Sequence, residues 1–140
     1  MFEHCPYEGD LGWERLVRSL QGQKVACGRR EIAEALGKKT VLLSYKKGDE
    51  VIAEGELGSD IFFILSGTYE VLINGNPVVA LSSPAYFGEL ALVDPESKRT
   101  ASIVTKDSGW LAVVKEGDFS VIAEEYPTMW HQIANEIINR

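Results

Sequence analysis

Cysteine and histidine are scarce in this chain, long apolar runs are missing, and positive charge is in the minority. The two cysteines, Cys5 and Cys27, form no CxxC pair and no secretion signal precedes them, so two free thiols in a reducing cytoplasm are expected rather than a disulfide framework. The longest apolar run, Ile61-Phe62-Phe63-Ile64-Leu65, is far too short to span a bilayer, and Met1-Phe2-Glu3-His4 is not the basic-then-apolar opening of an export signal. Neither export nor a membrane anchor is therefore expected. Lys and Arg number 14 against 21 Asp and Glu, a formal net charge of −7, and such a field repels phosphate backbones and anionic lipid at long range. Nucleic acid is not the expected direct partner.

What is present suits one folded domain. The 140 residues are 45% hydrophobic and 25% charged, enough for one contiguous core and too balanced for disorder or a fibrous repeat. Residues 1–140 are read as a single unit of α+β class. From 10 to 37 the period is helical, with Leu16, Val17 and Leu20 on one face and Ile32 and Leu36 on another, predicting helices over 10–21 and 29–36. From 40 to 115 the texture becomes short β-branched and aromatic runs broken by Gly, Asn, Asp and Pro about every eight to twelve residues, which predicts an antiparallel, jelly-roll-like barrel of about eight strands.

Ser66-Gly67 separates the run ending at Leu65 from Tyr69-Glu70-Val71-Leu72-Ile73, and Asn74-Gly75 closes that second run with residues suited to positive φ. These are expected to be consecutive antiparallel strands. After Gly117 the helical period returns, with Asp118 as N-cap, Phe119, Ile122 and Ala123 facing inward and Pro127 in a tolerated first-turn position. Helices over 118–125 and from 127 onward follow. The last carries Trp130, Ile133, Ala134 and Ile137 at helical spacing up to Arg140, and reads as a helix that continues into a further module.

The chemistry is concentrated in residues 87–104. Phe87-Gly88-Glu89-Leu90-Ala91-Leu92 places a glycine before a short helical turn and an acid in its first residues, and Arg99-Thr100-Ala101 then starts a strand. The amides heading such a turn donate to an anion, and Gly88 lets the backbone approach closely. Arg99 offers a planar fork matched to two phosphate oxygens, the Thr100 hydroxyl and the Ala101 N–H add donors, and the small Ala101 keeps the wall open. Glu89 beside a phosphate is repulsive unless it accepts hydrogen bonds from a neutral group of the same ligand, as a ribose 2′-hydroxyl would allow. One cation for one negative charge favours a 3′,5′-cyclic nucleotide over a linear one.

These residues resemble the phosphate-binding cassette of the cyclic-nucleotide-binding domain family of catabolite activator proteins, kinase regulatory subunits and gated channels. The stretches K-K-G-D-E-V-I-A-E-G-E at 46–56 and D-I-F-F-I-L-S-G at 60–67 extend the resemblance, which covers about 38–139. It implies a β-roll flanked by N- and C-terminal helices, with Gly88, Glu89, Leu90, Arg99, Thr100 and Ala101 as sugar-phosphate contacts. The helical leader, Ile73-Asn74-Gly75 and Tyr126-Pro127-Thr128-Met129-Trp130 are similar to one branch, the sensor domains of TIR effectors in bacterial pyrimidine-cyclase antiphage defence, called Pycsar. That branch implies cyclic UMP as ligand, with cyclic CMP, AMP or GMP as alternatives, and an NAD-cleaving domain outside this chain. The chain itself then reads as a sensor and not an enzyme.

Blander and rival readings accompany each feature. Glu89 and Arg99 alone could form a surface ion pair of little worth. Trp130 could stack on the base as a lid, although an apolar helix face is more often core or subunit contact. Self-association through Trp130, Ile133 and Ile137 makes a homodimer the expected assembly. His4 and His131 are expected to be surface residues, and the lack of histidine from 40 to 115 disfavours a cupin-like metalloenzyme. A cAMP- or cGMP-binding regulatory domain, such as that of a transcription regulator with a helix-turn-helix beyond Arg140, remains the alternative.

Overall fold

The computed structural model describes residues 5–92, 94 and 96–138. Two helices, α1 (Gly9–Gln21) and α2 (Arg30–Lys39), precede eight strands: β1 (Val41–Tyr45), β2 (Glu50–Ile52), β3 (Asp60–Ile64), β4 (Thr68–Ile73), β5 (Asn76–Ser82), β6 (Tyr86–Phe87), β7 (Ser102–Asp107) and β8 (Gly109–Lys115). Helices α3 (Glu116–Glu125) and α4 (Thr128–Ile138) close the chain. The strands form two four-stranded antiparallel sheets, ordered β1-β8-β3-β6 and β2-β7-β4-β5.

The first sheet is the middle of three layers, and its side chains alternate accordingly. Ile61, Phe63, Tyr86, Ala112 and Val114 join the helices in one core, with Leu16, Leu20, Ile32, Leu36, Phe119 and Met129. Phe62, Ile64, Phe87, Leu111 and Val113 point the other way, onto Tyr69, Ile52 and Ile103 of the second sheet. A strand covered on both faces needs no polar alternation, which explains the unbroken apolar run through β3.

Four local expectations are corrected. β3 and β4 are consecutive but unpaired: the chain crosses between sheets at Ser66-Gly67, as it does again between β7 and β8 at Ser108-Gly109, so β3 pairs with β6 and β8 whereas β4 pairs with β5 and β7. The crossings touch closely, and a Cβ on Gly109 would lie 2.1 Å from the Ser66 carbonyl oxygen. The Asn74-Gly75 hairpin, by contrast, forms between β4 and β5 with φ of 52° and 78°. Second, α2 runs past Gly37, which packs against the Trp13 ring instead of ending the helix. Third, α3 starts at Glu116 with Lys115 as its N-cap, leaving Asp118 inside the first turn. Pro127 directly precedes α4, its carbonyl accepting from the Trp130 N–H at 3.0 Å. Fourth, the Arg99-Thr100-Ala101 triplet lies before a strand, because β7 begins at Ser102.

A 3-10 turn at Lys24–Ala26, not foreseen, packs the leader against α4. Just before it, buried Gln23 donates its amide to the Ile64 and Ala85 carbonyls, each at 3.5 Å. Cys5 is buried and Cys27 exposed, and both are free. Among the described residues no helix is long and apolar enough to cross a membrane.

Phe119 is fully buried and meets Trp130 edge-on, with ring centroids 5.9 Å apart. Phe119→Ala should cost about 3–5 kcal/mol of unfolding free energy in urea titration. A loss below about 1 kcal/mol would contradict this account of the helical core.

Candidate functional site

A cavity of about 320 Å³ opens between the second sheet and the 87–101 segment. Ile52, Val71, Val79, Leu81 and Ile103 give it an apolar floor, and Gly88, Glu89, Leu90, Ala91, Ser97, Lys98, Arg99, Thr100 and Ala101 form the opposite rim. The structure thus brings together all six residues of the sugar-phosphate set. The helical turn expected after Gly88 is a single 3-10 turn, Glu89–Leu92, entered from β6. Its first internal bond runs from the Ala91 N–H to the Gly88 carbonyl at 3.3 Å, and the Glu89 and Leu90 amides stand at its head.

Arg99 is fixed from three sides. Its Nη2 donates to the Asp60 carbonyl at 3.0 Å and its Nη1 to the Gly88 carbonyl at 3.4 Å, while the guanidinium carbon stands 5.9 Å from the Phe62 ring centroid. Phe62 is itself stacked on Phe87 at 5.0 Å. The backbone of Arg99 is also tied down, its N–H donating to Glu56 and its carbonyl accepting from Gly55, each at 2.8 Å. Partial burial pulls the guanidinium below its ordinary range, and the nearby charges of Asp60 and Glu89 counter this. The group nevertheless stays protonated at any working pH.

Two glycines make that placement possible. Gly88 has φ of 89°, and a Cβ there would lie 2.5 Å from the Asp60 carbonyl oxygen and 3.1 Å from Arg99 Nη1. Gly58 lacks positive φ, so its small size matters for another reason: a Cβ would lie 2.9 Å from Arg99 Nε and Nη2. The sequence alone suggests a mere turn residue at 58; its role depends on contact with a side chain 41 positions away. Phe62 escaped notice for the same reason, since its spacing announces a strand and not a platform for Arg99.

Glu89 is buried, with 3% of its surface exposed, and lines the cavity close enough for its charge to act on Arg99. Thr100 is exposed on the rim. Trp130 is not among the lining residues; it sits half-buried against Phe119, so stacking on a ligand would require α4 to leave its present position. Ile133 is 1% exposed and thus unavailable for self-association while α4 is docked, and the Ile137 side chain lies outside the described residues. His131 is exposed and His4 lies outside the described residues; among those described, no three His, Cys, Asp or Glu side chains group to hold a metal.

The cyclic nucleotide-binding domain profile matches residues 42–126. The Pycsar effector protein XpPycTIR of Xanthomonas perforans is 34% identical over 134 residues, covering 96% of this chain and 44% of that protein. BcPycTIR of Burkholderia cepacia is 29% identical over the same shares. The chain spans less than half the length of these curated relatives. Among solved structures, the regulatory domain of Toxoplasma gondii PKA with cAMP superimposes with a TM-score of 0.73 at 23% identity, over 87% of this chain and 49% of that one, a likeness of fold. With the profile match covering the β-roll, the cavity and α3, the chain belongs to the cyclic nucleotide-binding domain family.

Proposed function

We propose that the cavity binds a 3′,5′-cyclic mononucleotide, cyclic UMP above others, and that the chain is the sensor of a longer TIR effector whose NAD-cleaving chemistry lies outside residues 1–140. The observation that carries the ligand reading is the pairing of one prepositioned guanidinium, Arg99, with one buried carboxylate, Glu89, on the rim of an apolar-floored cavity. A cyclic diester brings one negative charge and one free hydroxyl. Arg99 matches the charge as a donor fork, joined by the Glu89, Leu90 and Ala101 amides and the Thr100 hydroxyl. Glu89 accepts from the 2′-hydroxyl, and the apolar floor of Val71, Val79 and Leu81 receives the base.

The choice of cyclic UMP and of a TIR effector rests on similarity to the Pycsar effector proteins over 96% of the chain. Signal output is assigned to α4. Ligand shifts α4 only to the extent that it binds two arrangements of the helix unequally, and release of α4 frees Trp130 and Ile133 for contact with a second copy. Homodimerisation is the expected assembly.

The deciding experiment is calorimetric titration of the chain with cyclic UMP, CMP, AMP and GMP. Cyclic UMP should bind most tightly; no heat with any of the four ends the reading. Arg99→Ala strands a phosphate without its partner and should weaken binding roughly thirty- to several-thousand-fold, about 2–5 kcal/mol. Unchanged affinity in a folded variant rejects the assignment of Arg99. Glu89→Ala should narrow the preference for the ribonucleotide over its 2′-deoxy analogue, and a variant that discriminates as sharply as the parent shows that another group reads the sugar.

A further inference from the structure

Tyr86 stands at a junction that the ligand reading leaves unused. It belongs to β6, directly before Phe87, Gly88 and the turn carrying Glu89, and it contributes to the cavity wall. Its ring lies on the opposite side of the sheet from Phe87, packed at 5.7 Å against Phe63 within the helical core. Its hydroxyl donates to the carboxylate of Glu136, near the C-terminal end of α4, at a part-buried position. The other oxygen of that carboxylate accepts from the Gln132 amide at 3.4 Å, one turn back on the same helix.

We infer that the Tyr86–Glu136 hydrogen bond is the latch through which occupancy of the cavity governs α4. β6 has two residues, so displacement of Gly88 or Glu89 by a ligand is passed to Tyr86 without intervening slack. A phenol-to-carboxylate bond is charge-assisted, directional and short in reach, and a shift of about one ångström at the hydroxyl weakens it steeply. Among the described residues, α4 is also held by Met129 and Ile133 in the apolar core and, at its N-terminal end, by a long, weak bond from the Cys27 thiol to the Thr128 carbonyl at 4.0 Å. Dispersion contacts tolerate small displacements better than a hydrogen bond does. The latch therefore acts near the C-terminal end of α4, while the beginning of the helix stays anchored. By linkage, whatever the ligand does to the bond, the bond does to the ligand's affinity.

The inference builds on the proposed ligand site, and a test by hydrogen exchange on the 140-residue chain separates the two. In ligand-free protein, Tyr86→Phe keeps the ring and removes the donor, and Glu136→Ala removes the acceptor. Each should speed exchange of the amides in the last turns of α4 on the order of ten-fold, and the double variant should be no faster than either alone. Exchange in β3 and β8 should stay unchanged, which a general loss of stability would not allow. Glu136→Gln retains an acceptor oxygen and should restore most of the protection. Saturating cyclic UMP should alter α4 exchange in the parent and much less in Tyr86→Phe. Additive effects in the ligand-free cycle, or a ligand response in Tyr86→Phe equal to the parent's, overturn the latch. Absence of calorimetric binding to the parent overturns the ligand reading and with it the latch's regulatory role, while the ligand-free cycle still decides whether the bond holds α4.

Discussion

The site depends on a cation that is held before any anion arrives. An arginine left to itself samples many rotamers and loses that freedom on binding; here two backbone carbonyls and an aromatic face fix the guanidinium of Arg99 while leaving it at the wall of the cavity. Carbonyl oxygens hold it without neutralising it, which a salt bridge in the same place would do. The carboxylates of Asp60 and Glu89 are near enough to ease the cost of burying the charge. The rest of the fold can be read as the means of presenting those carbonyls: β3 supplies Asp60 and Phe62, β6 delivers Gly88, and Glu56 and Gly55 clamp the backbone of Arg99 itself.

That arrangement explains the division of labour between sheets. The first sheet, whose strands β3 and β8 are packed on both faces, carries the parts that position the cation. The second sheet offers Val71, Val79 and Leu81 as a floor, and β5 lies at its edge with Val78 and Val79 exposed. On the proposed reading, sugar and phosphate are met from the 88–101 rim and the base from the apolar floor.

Much of this was legible in the residues. Short β-branched and aromatic runs separated by turn residues pointed to about eight strands, and the Asn74-Gly75 hairpin formed as its chemistry required. Of the nine residues between 88 and 101 that line the cavity, Gly88, Glu89, Arg99, Thr100 and Ala101 were singled out by their chemistry and Leu90 by the resemblance to the family's cassette, whereas Ala91, Ser97 and Lys98 were not. Contacts between distant segments were not legible. Gly58 looked like a turn and Phe62 like a strand residue, and nothing local singled out Tyr86; each acquires its role from a partner on another element. Pairing of β3 with β4 was wrongly expected because adjacency in sequence usually means adjacency in a sheet, and nothing local marks a corner where the chain changes layer. The caps of α3 were misjudged because Lys115 ends a strand and begins a helix at once.

The middle layer has a further consequence. Because Ile61, Phe63, Ala112 and Val114 face the helices while Phe62, Ile64, Leu111 and Val113 face the barrel, neither half can be detached without baring oil to water. Trimming the leader to obtain a minimal barrel would leave a sticky slab where Leu16, Leu20, Ile32 and Leu36 had rested. The helices that look like appendages in a linear diagram cover one face of the interior.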